Sequence, residues 1–273
     1  MFFHTFVLEY NQEVVDTNIN ILLAKSIINK NIINMAAKSI RMMVLAFLLP
    51  VAAFAEGWDE ATYKSIESSI KSPQFGIFEI DVRKTGARQE ANARHNQKAI
   101  QKAIDKCSKK GGGKVIIPSG MHYLTGAIII KSHVNLVVEE EAVLEFVFQP
   151  ELYPIVETSW EGLDCFNLSP CIYALNATDI ALTGKGTIDG GGTRETWWPW
   201  NGAAKHGWKA GMPSQKDKGR PRLLANGEEG VPMYFDGKPN KQRVFTEDDR
   251  LRPQLVNFNQ CERVLIEDVT LLR

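Results

Sequence analysis

The sequence predicts an all-β fold in which short strands wind into a solenoid behind one amphipathic helix. Three observations support this prediction: a helical period over residues 96–109, a series of short β-rich runs after it, and a loose internal repeat. The chain has 273 residues, of which 44% are hydrophobic, so it can bury the core of one sizeable domain.

The helix is predicted from apolar residues that recur every three or four positions. They are Ala99, Ile100, Ala103, Ile104 and Cys107, with lysines and glutamines on the opposite face. Three glycines at 111–113 end the helix, because glycine adopts the left-handed conformation that follows a helix and continues a helix poorly. In a solenoid, we expect this helix to cap the first coil and to protect its unpaired strand edges.

The hydrophobic period changes after this helix. Short runs rich in β-branched residues follow, namely KVIIP, HYLTG, AIIIK, NLVVE and VLEFV, and glycine, proline, serine or charged residues separate them. No helical pattern lies between the runs. The pattern therefore argues against βαβ units.

An internal repeat relates residues 127–138, 173–184 and 257–268, each with two short strands around a polar elbow. The aligned apolar residues are Val134, Ile180 and Val264 at one position, and Leu136, Leu182 and Ile266 two residues later. Such repeats suit a solenoid, in which each coil buries a face against the next one. A β-sandwich with similar short strands is the alternative.

The glycine-rich stretch GKGTIDGGG at 184–192 follows a predicted strand, as a dinucleotide-binding loop does. Its spacing, G-x-G-x-x-x-G, is one residue too long, and the TRETWWPW that follows is not an amphipathic helix. The KKGGGK run at 109–114 lacks the first glycine of a P-loop, and Val115 replaces its Ser/Thr. We interpret these glycines as tight bends between strands that need a positive φ.

Residues 35–55 are typical of a secretory signal peptide. Lys38 and Arg41 precede an apolar run, and Ala-Phe-Ala at 53–55 forms a cleavage site before Glu56. The apolar run of about 14 residues is shorter than the roughly 20 that cross a bilayer, which favours a cleaved signal over a membrane anchor. We therefore expect an exported protein, periplasmic or extracellular, that has no membrane contact after cleavage.

Residues 1–34 are rich in Asn and Ile and precede a second start at Met35. We interpret them as an upstream extension of the reading frame without a structural role; an amphipathic surface helix is the alternative. Lysine and arginine (32) balance aspartate and glutamate (32), so no overall positive charge points to nucleic acid as a partner.

The chain has four cysteines, Cys107, Cys165, Cys171 and Cys261. In an exported protein they would meet an oxidising compartment, where four cysteines can form disulfides in three pairings. Cys165 and Cys171 are the nearest along the chain. No CxxC spacing indicates zinc, and we expect neither a metal nor a cofactor. The alternative to a disulfide is that the cysteines are small buried hydrophobic residues.

Three segments of the chain resemble the polygalacturonases, glycoside hydrolase family 28, in the bacterial branch of that family. They are ATDIALTGKGTIDGGG with the later WW, LRPQLVNFNQCERVLIEDVTL, and GGGKVIIPSGMHYLTGAIIIKSHVNLVVEEEAVLEF. The resemblance runs from about Phe75 to Arg273 and corresponds to the N-terminal part of that family. It implies a right-handed parallel β-helix, of which residues 56–273 are the first coils, and hydrolysis of α-1,4 bonds in pectin.

The same resemblance implies that the catalytic residues lie outside this chain. In the family, the catalytic carboxylates and the substrate-binding His, Arg and Lys belong to later Asn-x-Asp, Asp-Asp, Gly-His-Gly and Arg-x-Lys motifs, which we expect beyond Arg273. The Asp248-Asp249 pair lies in a charged turn without those neighbours, and we interpret it as a solvated loop. Asp189 follows a strand, where aspartate commonly closes a turn. We assign no catalytic residue.

Residues at about 191–253 form a long tryptophan-rich insertion with twelve Lys+Arg and eight Asp+Glu. Loops of this length are usually functional or disordered. Because sugar rings stack on indole faces and galacturonate is anionic, the candidate substrate-binding residues are Trp160, Trp197, Trp198 and Trp200. The alternative is that each tryptophan packs the loop onto the solenoid.

The first functional hypothesis is the N-terminal part of an exported, monomeric glycosidase that cleaves galacturonosyl bonds by acid/base hydrolysis with inversion. This hypothesis expects the 273-residue chain itself to be inactive. The second is a non-catalytic β-helix that binds pectic polysaccharide. A third, a pectate lyase-type enzyme, needs a calcium site of clustered carboxylates and an arginine base, and no such cluster is apparent in the sequence.

Overall fold

The computed structural model describes residues 59–273. The predicted extension (1–34) and signal peptide (35–55) lie outside the described residues. The chain divides into two units, Met1–Ile70 and Lys71–Arg273. The described part of the first unit holds helix α1 (Glu60–Ser69), whose N-cap Asp59 accepts a hydrogen bond from the Thr62 N–H at 2.6 Å. In the part of the chain that is described, no helix has the length and apolar content that a bilayer crossing requires.

The second unit contains two helices, α2 (Ala93–Lys109) and α3 (Gly219–Glu228). Its strands are short, and all but four of them pair in parallel. In chain order they are β1 (Phe78–Asp81), β2 (Gly113–Ile117), β3 (His122–Thr125), β4 (Ile128–Ile129), β5 (Val134–Val138), β6 (Val143–Phe146), β7 (Ile155–Trp160), β8 (Leu163–Leu168), β9 (Ile172–Leu175), β10 (Thr178–Thr183), β11 (Thr187–Asp189), β12 (Tyr234–Phe235), β13 (Lys238–Pro239), β14 (Val256–Asn259), β15 (Glu262–Glu267) and β16 (Thr270–Leu272).

Twelve of these strands form three parallel sheets. The first has the order β1-β2-β5-β10-β15, the second β3-β6-β11-β16 and the third β4-β9-β14. The chain visits the three sheets in rotation, so each circuit forms one coil, and equivalent strands of successive coils pair side by side. This arrangement is a parallel β-helix. It confirms the solenoid and excludes the antiparallel sandwich for residues 71–273.

The internal repeat in the sequence corresponds to the register in which the strands of the first sheet pair. Ile180 lies opposite Val264, and Leu182 lies between Leu136 and Ile266. Leu136 and Leu182 are fully buried, and Ile266 packs against the same core, whereas Val264 is 40% exposed. Gly184 begins one bend with φ +107°, and a Cβ there would lie 2.1 Å from the Val138 carbonyl oxygen, as expected for a tight bend between strands.

Helix α2 starts three residues before the predicted span. The Asn92 side chain caps it by accepting a hydrogen bond from the His95 N–H at 2.9 Å. All five residues of the predicted apolar face are buried in the core that the strands form. Amide side chains also join the helix to strand edges: Gln101 Nε2 donates to the Ile129 carbonyl at 2.9 Å and Gln101 Oε1 accepts from the Ile129 N–H at 2.8 Å.

All four cysteines are unpaired in the structure. Burial raises the pKa of the Cys107 thiol to about 11 and those of Cys165 and Cys171 to about 12. Cys165 and Cys171 belong to different hydrophobic clusters. The interpretation of these three as small buried hydrophobic residues is confirmed, and Cys261 is half-buried.

One ionic network joins successive coils at the elbow between the third and first sheets. Asp179 is buried and adopts φ 55°. Its Oδ1 accepts hydrogen bonds from the Arg263 guanidinium at 2.7 Å and from the Gln74 N–H at 2.9 Å, and His133 Nδ1 lies 3.3 Å from its Oδ2. The Arg263 and Gln74 hydrogen bonds hold the pKa of Asp179 well below its ordinary value.

This network predicts a pH-dependent stability. Asp179 binds a proton more weakly in the folded chain than in the unfolded chain, so its contribution is full at neutral pH and declines as the pH falls below about 4. Urea unfolding of Asp179→Asn should therefore show a deficit in unfolding free energy at about pH 7 that shrinks at about pH 3. Asp236→Asn, in an exposed hairpin turn, is the control. A deficit equal at both pH values would contradict the assignment.

Candidate functional site

Two insertions leave the β-helix at the same corner of consecutive coils. The antiparallel hairpin β7–β8 separates β6 from β9, and residues 190–255 separate β11 from β14. In both cases the chain passes from the second sheet to the third. Because β6 and β11 pair in parallel, as do β9 and β14, the two insertions start and end next to each other.

Hydrogen bonds hold the two insertions together. The Trp160 indole Nε1 donates to the Arg252 carbonyl at 3.2 Å, and Gln254 Nε2 donates to the Ser159 carbonyl at 2.9 Å. The Phe245 N–H donates to the Phe166 carbonyl at 2.7 Å. Backbone carbonyl groups of both insertions accept these hydrogen bonds, so the two insertions are held next to each other.

The long insertion is folded. It contains α3 and the small hairpin β12–β13, and it forms a second hydrophobic cluster with the β7–β8 hairpin. The buried residues of that cluster are Trp160, Cys165, Leu223, Phe245 and Leu251. The insertion therefore shares a hydrophobic cluster with the β7–β8 hairpin.

A cleft of about 450 Å³ lies where the two insertions meet the second and third sheets. Three indoles (Trp160, Trp197 and Trp198), two guanidinium groups (Arg252 and Arg273) and one carboxylate (Glu161) are among its lining groups. Its lining combines aromatic rings with positive charge.

The four candidate tryptophans differ in exposure. Trp160 is 7% exposed, and Trp197 and Trp200 are each 5% exposed, whereas Trp198 is half-buried. Trp197 packs edge-to-face against Phe148, with ring centroids 4.7 Å apart, and against Trp200 at 5.1 Å. Trp197 and Trp200 therefore pack the insertion onto the solenoid, which was the alternative to sugar binding. Trp198 offers the ligand more surface than the other three.

Trp198 reaches the cleft because Gly192 leaves room for it. A Cβ on Gly192 would lie 2.5 Å from the Trp198 Nε1, so a larger residue would displace the indole. The Trp198 ring also lies edge-to-face with the His206 ring, with centroids 6.4 Å apart. The glycine run that the sequence analysis assigned to bends therefore also shapes the cleft.

Arg252 is the residue of the cleft that sequence reasoning missed. Its Nε is buried without a hydrogen-bond partner, and no carboxylate of residues 59–273 lies within 4 Å of its guanidinium. Burial lowers the pKa of Arg252, and the negative charge of Glu161 opposes this shift, but an arginine keeps its charge in proteins. A partly buried cation without a counter-ion favours an anionic ligand, above all a carboxylate. The sequence placed Arg252 only within a motif, without any sign of its burial.

Arg273 has a partner in the cleft wall. Its Nε donates to Asp189 Oδ1 at 2.8 Å, and the same oxygen accepts the Gly191 N–H at 2.9 Å. The prediction that Asp189 closes a turn is confirmed. Burial raises the pKa of Asp189, but the hydrogen bonds from Arg273 and Gly191 outweigh burial, and the net pKa lies below the ordinary value. Asp189 is therefore an ionised structural residue.

The interpretation of Asp248-Asp249 as a solvated loop is wrong for one of the two residues. Asp248 is exposed, but Asp249 is 2% exposed. Its Oδ2 accepts from the Thr246 N–H at 2.9 Å and lies 2.9 Å from the Arg222 guanidinium. Asp249 is buried because it caps a short helix and neutralises a cation on α3. Neither residue lines the cleft.

The cleft does not contain a pair of free carboxylates among its described lining residues. Glu161 is its one carboxylate, and Glu161 Oε2 accepts from Arg220 Nε at 2.9 Å. Within residues 59–273, no group of three or more His, Cys, Asp or Glu side chains is arranged to hold a metal ion. The lining groups that could contact a ligand are therefore the Arg252 cation and the Trp198 indole, since the Gln254 amide bonds the Ser159 carbonyl.

Comparisons with known proteins agree with the resemblance read from the motifs. No family model matches the chain. A probable polygalacturonase of Vitis vinifera is 33% identical over 112 residues, which cover 38% of this chain and 22% of the relative. An endo-polygalacturonase of Pectobacterium carotovorum subsp. carotovorum is 26% identical over 167 residues, which cover 55% of this chain and 39% of the relative.

A solved structure shares the fold as well as the sequence. The hyperthermoactive exopolygalacturonase of Thermotoga maritima superposes with a TM-score of 0.69 and 35% identity, over 76% of this chain and 44% of that chain. The chain thus spans less than half the length of each of these three proteins. The resemblance to polygalacturonases is confirmed.

The difference in burial predicts different effects of two neighbouring substitutions. Trp197→Ala should lower the free energy of unfolding by about 3–5 kcal/mol, because it leaves a cavity among Phe148, Tyr153 and Trp200. Trp198→Ala should lower it by only about 1 kcal/mol, because that ring is only partly buried. Urea denaturation of both variants measures this difference. Equal losses would show that Trp198 is a core residue and not a free ligand surface.

Proposed function

We propose that residues 71–273 of this chain, which is similar to the polygalacturonases, are the N-terminal part of a pectin-degrading glycoside hydrolase. In this proposal the cleft binds a galacturonate unit. The substrate of the proposal is polygalacturonate or a related pectic polysaccharide. The proposal also includes the right-handed winding that nearly all parallel crossovers adopt. Export by the segment at 35–55 is part of the same proposal.

The observation that carries the proposal is that Arg252, which has no carboxylate partner, lines the same cleft as the Trp198 indole. A galacturonate ring has a carboxylate at one edge and apolar C–H groups on its face. Arginine binds a carboxylate through two parallel N–H donors, and an indole covers an apolar ring face. The carboxylate and the apolar ring face of galacturonate thus each have a matching group in the cleft.

Hydrolysis with inversion needs a carboxylic acid to protonate the leaving oxygen and a carboxylate to activate water, about 6.5–9.5 Å apart. Glu161 is held by Arg220, and no second carboxylate of the described chain lines the cleft unpaired. In our proposal, this part of the enzyme holds and orients the polysaccharide, and coils outside residues 71–273 supply the acid and the base.

Helix α2 has a supporting role in this proposal as the cap of the first coils. Its buried face continues the core of the strands, and its amides satisfy carbonyl groups at the strand edges. A capped end keeps the β-helix from pairing with other chains.

A non-catalytic pectin-binding module is the second candidate function. The observation that favours it is the same composition of the cleft: binding groups are present without a free acid/base pair. The two candidates agree on ligand binding and differ on whether the longer protein cleaves its ligand.

The first experiment tests ligand binding. Tryptophan fluorescence titration with trigalacturonate should show saturable binding that Arg252→Gln weakens by roughly tenfold to a hundredfold, because a charged hydrogen-bond donor is lost. Arg252→Lys keeps the charge but loses the paired donors, and we expect an intermediate affinity.

Arg88→Gln, at an exposed site away from the cleft, is the matched control and should bind as the wild type does. The methyl ester of the trisaccharide is the ligand control, and it should bind weakly to all variants. Unchanged affinity of Arg252→Gln, in a sample with wild-type thermal stability, would remove the cleft from the proposal.

The second experiment tests hydrolysis. The 273-residue chain incubated with polygalacturonate should release no new reducing ends, because its cleft lacks two free carboxylates. The Thermotoga maritima exopolygalacturonase serves as the positive control. Clear release of reducing ends by this chain would refute the division between binding and catalysis.

A further inference from the structure

The outer face of α2 carries an unusual density of positive charge. Its lysines are Lys98, Lys102, Lys106 and Lys109, and Lys110 caps the C-terminus. All five are exposed. At 3.6 residues per turn the first four lie within about 80° of one another, over about 16 Å of helix. These four lysines and Lys110 form a linear stripe, which we call the lysine stripe.

The lysine stripe has no counter-ions in the described structure. None of its five ammonium groups lies within 4 Å of a carboxylate of residues 59–273, whereas Arg94 at the start of the helix pairs with Glu151. Asp105 is the one acidic residue of α2, and it accepts a hydrogen bond from Gln101 at 3.1 Å. The chain as a whole has no net charge, so this surface departs from its average.

Helix stability accounts for only part of the lysine stripe. Lys106 and Lys109 lie in the last turn, where a positive charge interacts favourably with the helix dipole. Lys98 and Lys102 lie in the middle of the helix, away from the last turn where that interaction operates. A role outside the helix explains all of the lysines together.

The lysine stripe is held in a fixed position. The opposite face of α2 is fully buried, and Gln97 and Gln101 join the helix to carbonyl groups of the coils. The side chains of the stripe, with Gln101 and Asp105, enclose only a shallow, open depression on the helix surface. The charges are therefore presented in a row on a rigid support, which a linear polyanion can follow.

We propose that the lysine stripe is a second binding site for polygalacturonate, separate from the Trp198–Arg252 cleft. This inference rests on the proposed function for the identity of the polymer. Polygalacturonate is linear and has a carboxylate on each sugar, so it can contact successive lysines without a shaped pocket. Such a site would hold the protein on its polymer through many weak contacts, and the cleft would select one sugar unit.

The experiment measures retention of the 273-residue chain on immobilised polygalacturonate at low ionic strength. Lys98→Gln/Lys102→Gln/Lys106→Gln should weaken binding about fivefold, and the difference should vanish at high salt, because exposed charge contacts are weak and screened. The control is Lys185→Gln/Lys238→Gln/Lys241→Gln, which removes three exposed lysines from other surfaces. The control variant should bind as the wild type does.

The results separate this inference from the proposed function. If the α2 variant and the control variant bind equally, the lysine stripe is not a site, whatever Arg252→Gln does. If only Arg252→Gln loses polymer binding, the cleft stands and the lysine stripe is refuted. If the α2 variant loses binding to the polymer and keeps wild-type affinity for trigalacturonate, both sites stand. If the α2 variant loses binding to anionic phosphatidylserine vesicles but not to polygalacturonate, the ligand of the proposal is wrong.

Discussion

The in-register stacking of successive coils is the constraint on which the rest of the structure depends. A strand of one coil finds its hydrogen-bond partners only in the neighbouring coils, so each coil must repeat the path of the one before it. Leu136, Leu182 and Ile266 show the result, since they occupy the same position in three coils and share one core. Polar residues at the elbows follow the same rule, as in the contact of Asp179 with Arg263 and His133.

The same constraint decides where the molecule can acquire a site. The stacked strands tolerate almost no change, so extra residues enter at corners between sheets, and corners of successive coils lie next to each other. The β7–β8 hairpin and residues 190–255 use one such corner. Their contact creates a cleft that neither insertion could form alone, with Trp160 contributed by one and Arg252 and Trp198 by the other.

Two charged surfaces on a neutral chain give the proposed function its physical basis. In the cleft, one partly buried guanidinium without a counter-ion is suited to a single carboxylate in a defined orientation. On α2, exposed lysines are suited to many carboxylates without defined orientation. The first arrangement provides specificity and the second provides attraction that depends on salt.

Local patterns in the sequence determined the elements of this protein. The apolar spacing around Ile100 and Ile104 was enough for the helix, the β-rich runs for the strands, and the repeat around Leu182 for the register, because each pattern reflects short-range geometry or exact repetition. The turn role of Asp189 also followed from its neighbours alone. Only the tertiary structure decided which tryptophans are buried, that Asp249 is buried against Arg222, and that Arg252 lacks a counter-ion. Those properties depend on contacts between residues that are far apart in the chain. Trp160 and Arg252, for example, come together because two insertions leave the β-helix at one corner, and a local sequence pattern does not encode such a long-range contact.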